Sequence, residues 1–328
     1  VGLIAVAAAA SIWAAPLADA KPPKHKPKPK PDLVVKDLEF QDLSPNSDKR
    51  FPTALLTNDG KARFGYTVTV KNIGKAKAPK SRAQLFIDDA KASAPTAAAL
   101  DPGDGASGGE NLLQAFPSPG PFQLFICADS NDAIKESNED NNCSKHVHFA
   151  VVPLRWNVAQ MSTSLHSPGG GPNFDNASTG GMKFEYLGTE ASNGGFPAYT
   201  WQATGGTIEH ATGTDNGCPV SGTGSTLHTP WGLTLPPNIG VLEITTDLLH
   251  YDAYVADEIT TYTVTRTCPP PEGTSSSDLP LEALGTGTDG AGILDQAMPS
   301  NATTLAGTWG NSMYGGLWQF IADVPPKQ

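Results

Sequence analysis

The stretch FGYTVTVKNIG, residues 64–74, decides the fold. Phe64, Tyr66, Val68 and Val70 alternate with Gly65, Thr67, Thr69 and Lys71, which is the two-residue period of a half-buried strand. Asn72-Ile73-Gly74 then supplies turn chemistry. Working outward, short apolar runs recur at Leu33-Val34-Val35 with Leu38 and Phe40, at Leu85-Phe86-Ile87, at Leu124-Phe125-Ile126 and at Val147, Phe149 and Val151. About seven short strands joined by turns predict an antiparallel β-sandwich of immunoglobulin type.

The rest of the chain extends this reading. A length of 328 residues suits about two domains. Gly (34) and Pro (29) make up nearly a fifth of the residues, which excludes a long helical protein because both weaken helix interiors. Residues 151–328 hold 25 of the 34 glycines, with 4 basic and 16 acidic side chains, against 13 and 16 in residues 32–150. That shift places a boundary at Val152-Pro153, giving domains 32–152 and 153–328. In the second half, Leu154/Trp156/Val158, Met182/Phe184/Tyr186, Tyr199/Trp201/Ala203, Leu242/Ile244, Tyr262/Val264 and Trp318/Phe320 each repeat at period two. An all-β chain is expected, with a second, larger Gly/Thr-rich sandwich or barrel of about nine strands.

The first eighteen residues carry no charge and run into Ala18-Asp19-Ala20, which reads as a secretory signal cleaved before Lys21. The rival is a membrane anchor; membrane contact is expected only through an uncleaved N-terminus. Lys/Pro-rich residues 21–31 read as an extended spacer, with attachment to anionic envelope polymers or lipid headgroups as the sharper alternative. Beyond that spacer, residues 32–328 carry a net charge of −15, the wrong sign for a nucleic-acid partner. Four cysteines in an exported chain predict two disulfides, and chain proximity selects Cys127–Cys143 and Cys218–Cys268.

Candidate chemistry is sparse. Residues 129–142, DSNDAIKESNEDNN, are dense in carboxylates and asparagines. Asp129, Asn131, Asp132, Glu136, Glu139 and Asp140 could supply the hard oxygens of a calcium site, although the EF-hand template fails at Ala133 and lacks its glycine. The alternative is a hairpin turn whose Asn and Asp side chains bond their own backbone. Gly105-Ala106-Ser107-Gly108-Gly109 fits G-x-S-x-G without the strand-then-helix context of a nucleophile elbow. His146 and His148 lie two apart on a strand. Asp252, Asp257 and Glu258 would make a glycosidase pair only if the fold brought two of them together. Trp231 and Trp309, in turn-like glycine-rich settings, are candidate ligand contacts. No catalytic residue is assigned.

Residues 31–40 (PDLVVKDLEF), 66–78 (YTVTVKNIGKAKA), 85–89 (LFIDD), 99–109 (ALDPGDGASGG) and 122–142 (FQLFICADSNDAIKESNEDNN) resemble the CARDB family, bacterial cell-adhesion-related domains. Its most recognisable marks here are the Val70-x-Asn72-x-Gly74 turn and the closing hairpin from Asp129 to Asn142. The long connection from Asp42 to Lys61 and the cysteine pair depart from the pattern. The resemblance covers about residues 31–150 and implies an immunoglobulin-like sandwich on a bacterial surface, with no shared catalytic residue. The expected function is therefore non-catalytic adhesion or ligand binding at the envelope, the partner being an envelope polymer, a glycan or a protein. The alternatives are a secreted hydrolase acting through its second domain and a self-associating coat protein. No cofactor is expected unless calcium binds.

Overall fold

The computed structural model describes residues 27–325 apart from 45, 47, 167–172, 181–182, 192–195, 205–206, 225–240, 255–258, 283–292, 300–302 and 311–313. The described residues contain strands and turns and no helix. The first ten strands are β1 (Leu33–Gln41), β2 (Thr53–Leu56), β3 (Lys61–Asn72), β4 (Ser81–Arg82), β5 (Gln84–Ile87), β6 (Ala90–Ser93), β7 (Thr96–Ala97), β8 (Gly105–Ala115), β9 (Gly120–Cys127) and β10 (Val147–Pro153). They run in the order β1-β3-β2-β10-β9-β5-β6, with β8 on β3 and a small β4–β7 ribbon.

The alternation at 64–70 does what its period requires. Phe64, Tyr66, Val68 and Val70 are buried, and β3 is flanked by β1 and β8 in antiparallel register. Leu85, Ile87, Leu124, Ile126, Phe149 and Val151 close the same core from the other layer. Phe40 stacks on Phe64 and Phe149 at 5.1 and 4.8 Å, so the aromatic residues of both layers meet at its centre.

Only Leu154 separates β10 from the second set: β11 (Arg155–His166), β12 (Asn173–Gly180), β13 (Lys183–Ala191), β14 (Pro197–Thr204), β15 (Thr207–Asp215), β16 (Cys218–Gly224), β17 (Val241–Thr245), β18 (His250–Tyr254), β19 (Ile259–Thr267), β20 (Thr274–Glu282), β21 (Ile293–Ala297), β22 (Thr304–Gly310) and β23 (Tyr314–Ala322). Among the described residues these form one 13-stranded sheet, more strands than the nine expected. The additional ones include β12 (NFDNASTG) and β20 (TSSSDLPLE), whose polar residues hide any alternation. Strand β11 is the branch point: β23 pairs along one edge, while β13 and then β12 share the other. Trp156, Phe184, Trp201, Leu242 and Phe320 are fully buried on this sheet, and the Trp156 and Trp201 rings meet edge to face at 6.3 Å.

Strand β10 serves both cores. Phe149 and Val151 point into the first, whereas Ala150 and Val152 belong to the second, with Phe51 and Leu55 packed beside them. This follows from the pleat, since successive side chains leave opposite faces and the sequence Phe149-Ala150-Val151-Val152 is apolar on both. Polar bonds fix the junction. The Trp201 indole donates to the Pro153 carbonyl (2.8 Å), and the Leu154 amide donates to the Leu56 carbonyl (2.9 Å). Burial, with the Asp42 charge adding to it and the Thr53 hydroxyl opposing it, pushes the Tyr186 and Tyr199 hydroxyls up to about 12.

Shared burial predicts shared unfolding. Val151→Ala and Val152→Ala each remove about 2 kcal/mol by lost apolar burial, one from each core. Calorimetry is expected to give one transition that both variants lower. Two transitions, each moved by only one variant, would contradict the coupling.

Candidate functional site

The two sequence marks in the first sandwich meet at one place, the entry of the chain at residues 30–33. Asn72 is fully buried and uses its whole amide. Its Oδ1 accepts from the Asp32 and Gly74 amides (3.1 and 3.0 Å), and its Nδ2 donates to the Ala76 and Leu100 carbonyls (2.9 and 3.1 Å). Gly74 is needed because residues 30–32 cross directly over it: a Cβ there would lie 2.4 Å from the Asp32 nitrogen and the Pro31 carbonyl carbon.

The acidic hairpin grips the same segment from the other side. Cys127 and Cys143 are bonded at its base. Asp129 and Asp132 take left-handed φ values of 42° and 50°, a conformation Asp tolerates. Asp129 Oδ2 accepts the Ile134 amide (2.7 Å), which turns Ile134 into the core. Glu136 is buried; one carboxylate oxygen accepts the Leu33 amide and the other the Asn142 side-chain amide (3.1 Å). The Glu136 and Ser137 backbones hold Lys30 and Pro31: Lys30 Nζ donates to the Glu136 carbonyl (2.9 Å), and the Ser137 amide to the Pro31 carbonyl (2.8 Å). Asp32 accepts from Ser137 Oγ and Asn141 Nδ2 (2.8 and 2.9 Å). Burial raises the Glu136 carboxyl above its ordinary value, the Leu33 amide opposes that rise, and the Glu139 and Asp129 charges add to it.

The six residues predicted as oxygen ligands thus divide. Asp129 and Glu136 are buried; Asn131, Asp132, Glu139 and Asp140 are exposed, although Glu139 Oε1 reaches back to accept the Glu136 amide (2.8 Å). Asn72 is legible as a turn residue and Glu136 as an oxygen ligand, but their burial with Asn142 as one hub is not, because a buried polar residue inside a polar stretch looks like a solvated one.

Other candidates lie apart. Ser107 of the G-x-S-x-G run sits in β8 and its hydroxyl pairs with that of Thr69 (2.8 Å), with no helix following. His146 contacts Gln123 Oε1 (2.7 Å) and stacks on Phe125, and His148 is exposed. Among the described residues the only three ligating side chains that converge are Cys218, Cys268 and Glu272, where the cysteines are bonded to each other and Glu272 pairs with Arg266. Asp252 accepts the Asp295 amide and stands opposite Glu243 across β17 and β18, an acid neighbour unread in the sequence. Asp257, Glu258 and Trp231 lie outside the described residues, as does the side chain of Trp309, whose backbone pairs with Gly316. A cleft of about 140 Å3 opens between β3, β8 and the β4–β7 ribbon, where Ala83, Ala97, Ala98, Ala106 and Gly108 are too small to fill it.

This is an immunoglobulin-like sandwich with a clamped chain entry. Residues 30–146 match the CARDB family model, as the resemblance over residues 31–150 implied. No curated protein matches the chain. Among solved structures, the chain is similar to the CARDB domain of a Pyrococcus furiosus protein, crystallised in complex with di-metal ions (22% identity, TM-score 0.28, covering 38% of this chain and 96% of that one). The solution structure of that domain gives 20% identity and a TM-score of 0.26, covering 38% and 96%. A β-glucosidase from Listeria innocua in complex with glucose gives 15% identity and a TM-score of 0.23, covering 38% of this chain but only 16% of the enzyme. Likenesses this slight carry none of those proteins' ligands or activities across.

The hub predicts a graded mutational response. Glu136→Ala strips the acceptor from the buried Leu33 amide and should cost about 2–3 kcal/mol, whereas Glu136→Gln keeps one acceptor and should cost under about 1 kcal/mol. A carboxyl raised on folding stabilises most below its unfolded value near 4.5 and loses that contribution as pH rises through its folded value. Denaturant melts of the wild type should therefore lose stability relative to Glu136→Gln from about pH 4.5 upward. A difference independent of pH would refute the assignment.

Proposed function

We propose that the chain is an exported envelope or surface module that binds a partner without chemical turnover. Its Lys/Pro segment serves as spacer and electrostatic tether, and its strand ends and turns are the presenting surface. The observation that carries this reading is the clamp: Asn72, Gly74 and the 129–142 hairpin fix residues 30–33, so the basic segment joins the folded body at a rigid point. Two disulfides with no free cysteine suit an oxidising compartment outside the cytosol. The basic segment precedes an acidic body in the chain, an arrangement that favours anionic polymer or lipid headgroups at the tether and leaves the ligand to the sandwich.

Purified full chain is expected to bind envelope preparations in a salt-dependent way. Replacing Lys21, Lys24, Lys26 and Lys28 by Gln, with the clamped Lys30 retained, should weaken retention on anionic polymer by about tenfold or more. Binding that neither salt nor these substitutions alter would remove the tether. Turnover of a polysaccharide or ester, lost on Asp252→Asn, would instead favour a hydrolase, and concentration-dependent self-assembly without envelope binding would favour a coat protein.

A further inference from the structure

We propose that the base of the acidic hairpin is a calcium site built from Asp129, Glu136, Asn141 and Asn142. The observation is a set of three buried oxygens without protein donors, beside the Glu136 carboxylate, whose two oxygens accept from the Leu33 and Asn142 amides. Asp129 is fully buried, and while its Oδ2 accepts the Ile134 amide, its Oδ1 has no hydrogen-bond partner. Asn142 is 7% exposed; its Nδ2 is committed to Glu136, which fixes the amide's orientation, and its Oδ1 is unpartnered. Asn141 repeats the pattern, with Nδ2 on Asp32 and a buried, unpartnered Oδ1. Buried acceptors are almost always satisfied, so three on one loop without a protein donor call for a partner from outside the chain, and the two carboxylates of the set, Asp129 and Glu136, favour a cation.

Connectivity links Asp129, Glu136 and Asn142, while Asn141 stands next to Asn142 in the chain and bonds Asp32. The Ala128 amide donates to the Asn142 carbonyl, which sets Asp129 beside Asn142 across the hairpin base, and Asn142 is bonded to Glu136. No ion pair among the described residues engages Asp129, Glu136 or Glu139, and the nearby Lys30 ammonium is directed to the Glu136 carbonyl.

The donor set selects the ion. It contains only oxygen, from carboxylates and side-chain amides, and no three carboxylates in the hairpin converge on one point. That mixture suits calcium better than magnesium, which demands a small octahedral cage, or zinc, which prefers nitrogen and sulfur. The site differs from the one expected from sequence: Asn141 and Asn142 enter, while the exposed Asn131, Asp132 and Asp140 stay at the rim. Its consequence is mechanical, because the ion would lock the hairpin that grips residues 30–33. This inference is independent of the surface-binding reading and can fail without it.

The test is calorimetric titration of the full chain with calcium chloride after chelator treatment, paired with thermal melts. Calcium is expected to bind with a dissociation constant of roughly 0.1–1 mM, the range of extracellular modules, and to raise Tm by a few degrees, a gain that excess chelator reverses. Asn142→Leu and Asp129→Asn should each weaken binding by about tenfold or more. Should either variant fail to fold, terbium luminescence on the wild type, displaced by calcium, supplies the second measurement. No binding heat, no Tm shift and no displaceable terbium at about 10 mM calcium would overturn the site. Calcium binding undiminished in folded variants would overturn its placement.

Discussion

Strand β10 cannot satisfy one core without the other. Its residues Phe149 to Val152 are buried on both faces, and the pleat sends alternate side chains to opposite sides. The apolar face of the 13-stranded sheet, with Trp156, Trp201 and Phe320, is completed partly by Ala150 and Val152. The two units are therefore not beads on a linker. A displacement of β10 by one residue would turn Phe149 and Val151 out of the first core and disorder the second.

The clamp at the chain entry is built on the opposite principle, with buried polar groups in place of apolar area. Asn72 satisfies four backbone groups from one amide, and Glu136 holds the Leu33 amide and Asn142 together. Such hubs add little net stability but penalise every competing arrangement, because a lost partner leaves a desolvated group behind. They fix where the chain enters, while the Phe40, Phe64 and Phe149 cluster supplies the driving force.

Legibility in the sequence followed chemistry. The Phe64–Val70 alternation, the two cysteine pairs and the turn at Asn72 could be read directly, because period, proximity and turn residues are local signals. Strands such as β12 and β20 could not, since their Thr, Ser and Asn residues carry no apolar period and are placed by their neighbours' ladders. The run Phe149-Ala150-Val151-Val152-Pro153 suggested an ending because a proline closes it; its double-sided burial appears only once β2 and β9 flank it. In the acidic hairpin, composition announced oxygen-rich chemistry, but which side chains are buried depends on the Cys127–Cys143 closure and on the crossing of residues 30–33.

Native-state hydrogen exchange tests the shared strand most directly. The amides of Ala150 and Leu154, bonded to the Pro52 and Leu56 carbonyls, should exchange only through global unfolding, with the same protection as the Ile126 amide in the first core. Exchange at Ala150 and Leu154 through a lower-energy opening that leaves Ile126 protected would show that the two units open separately and that β10 does not bind them into one body.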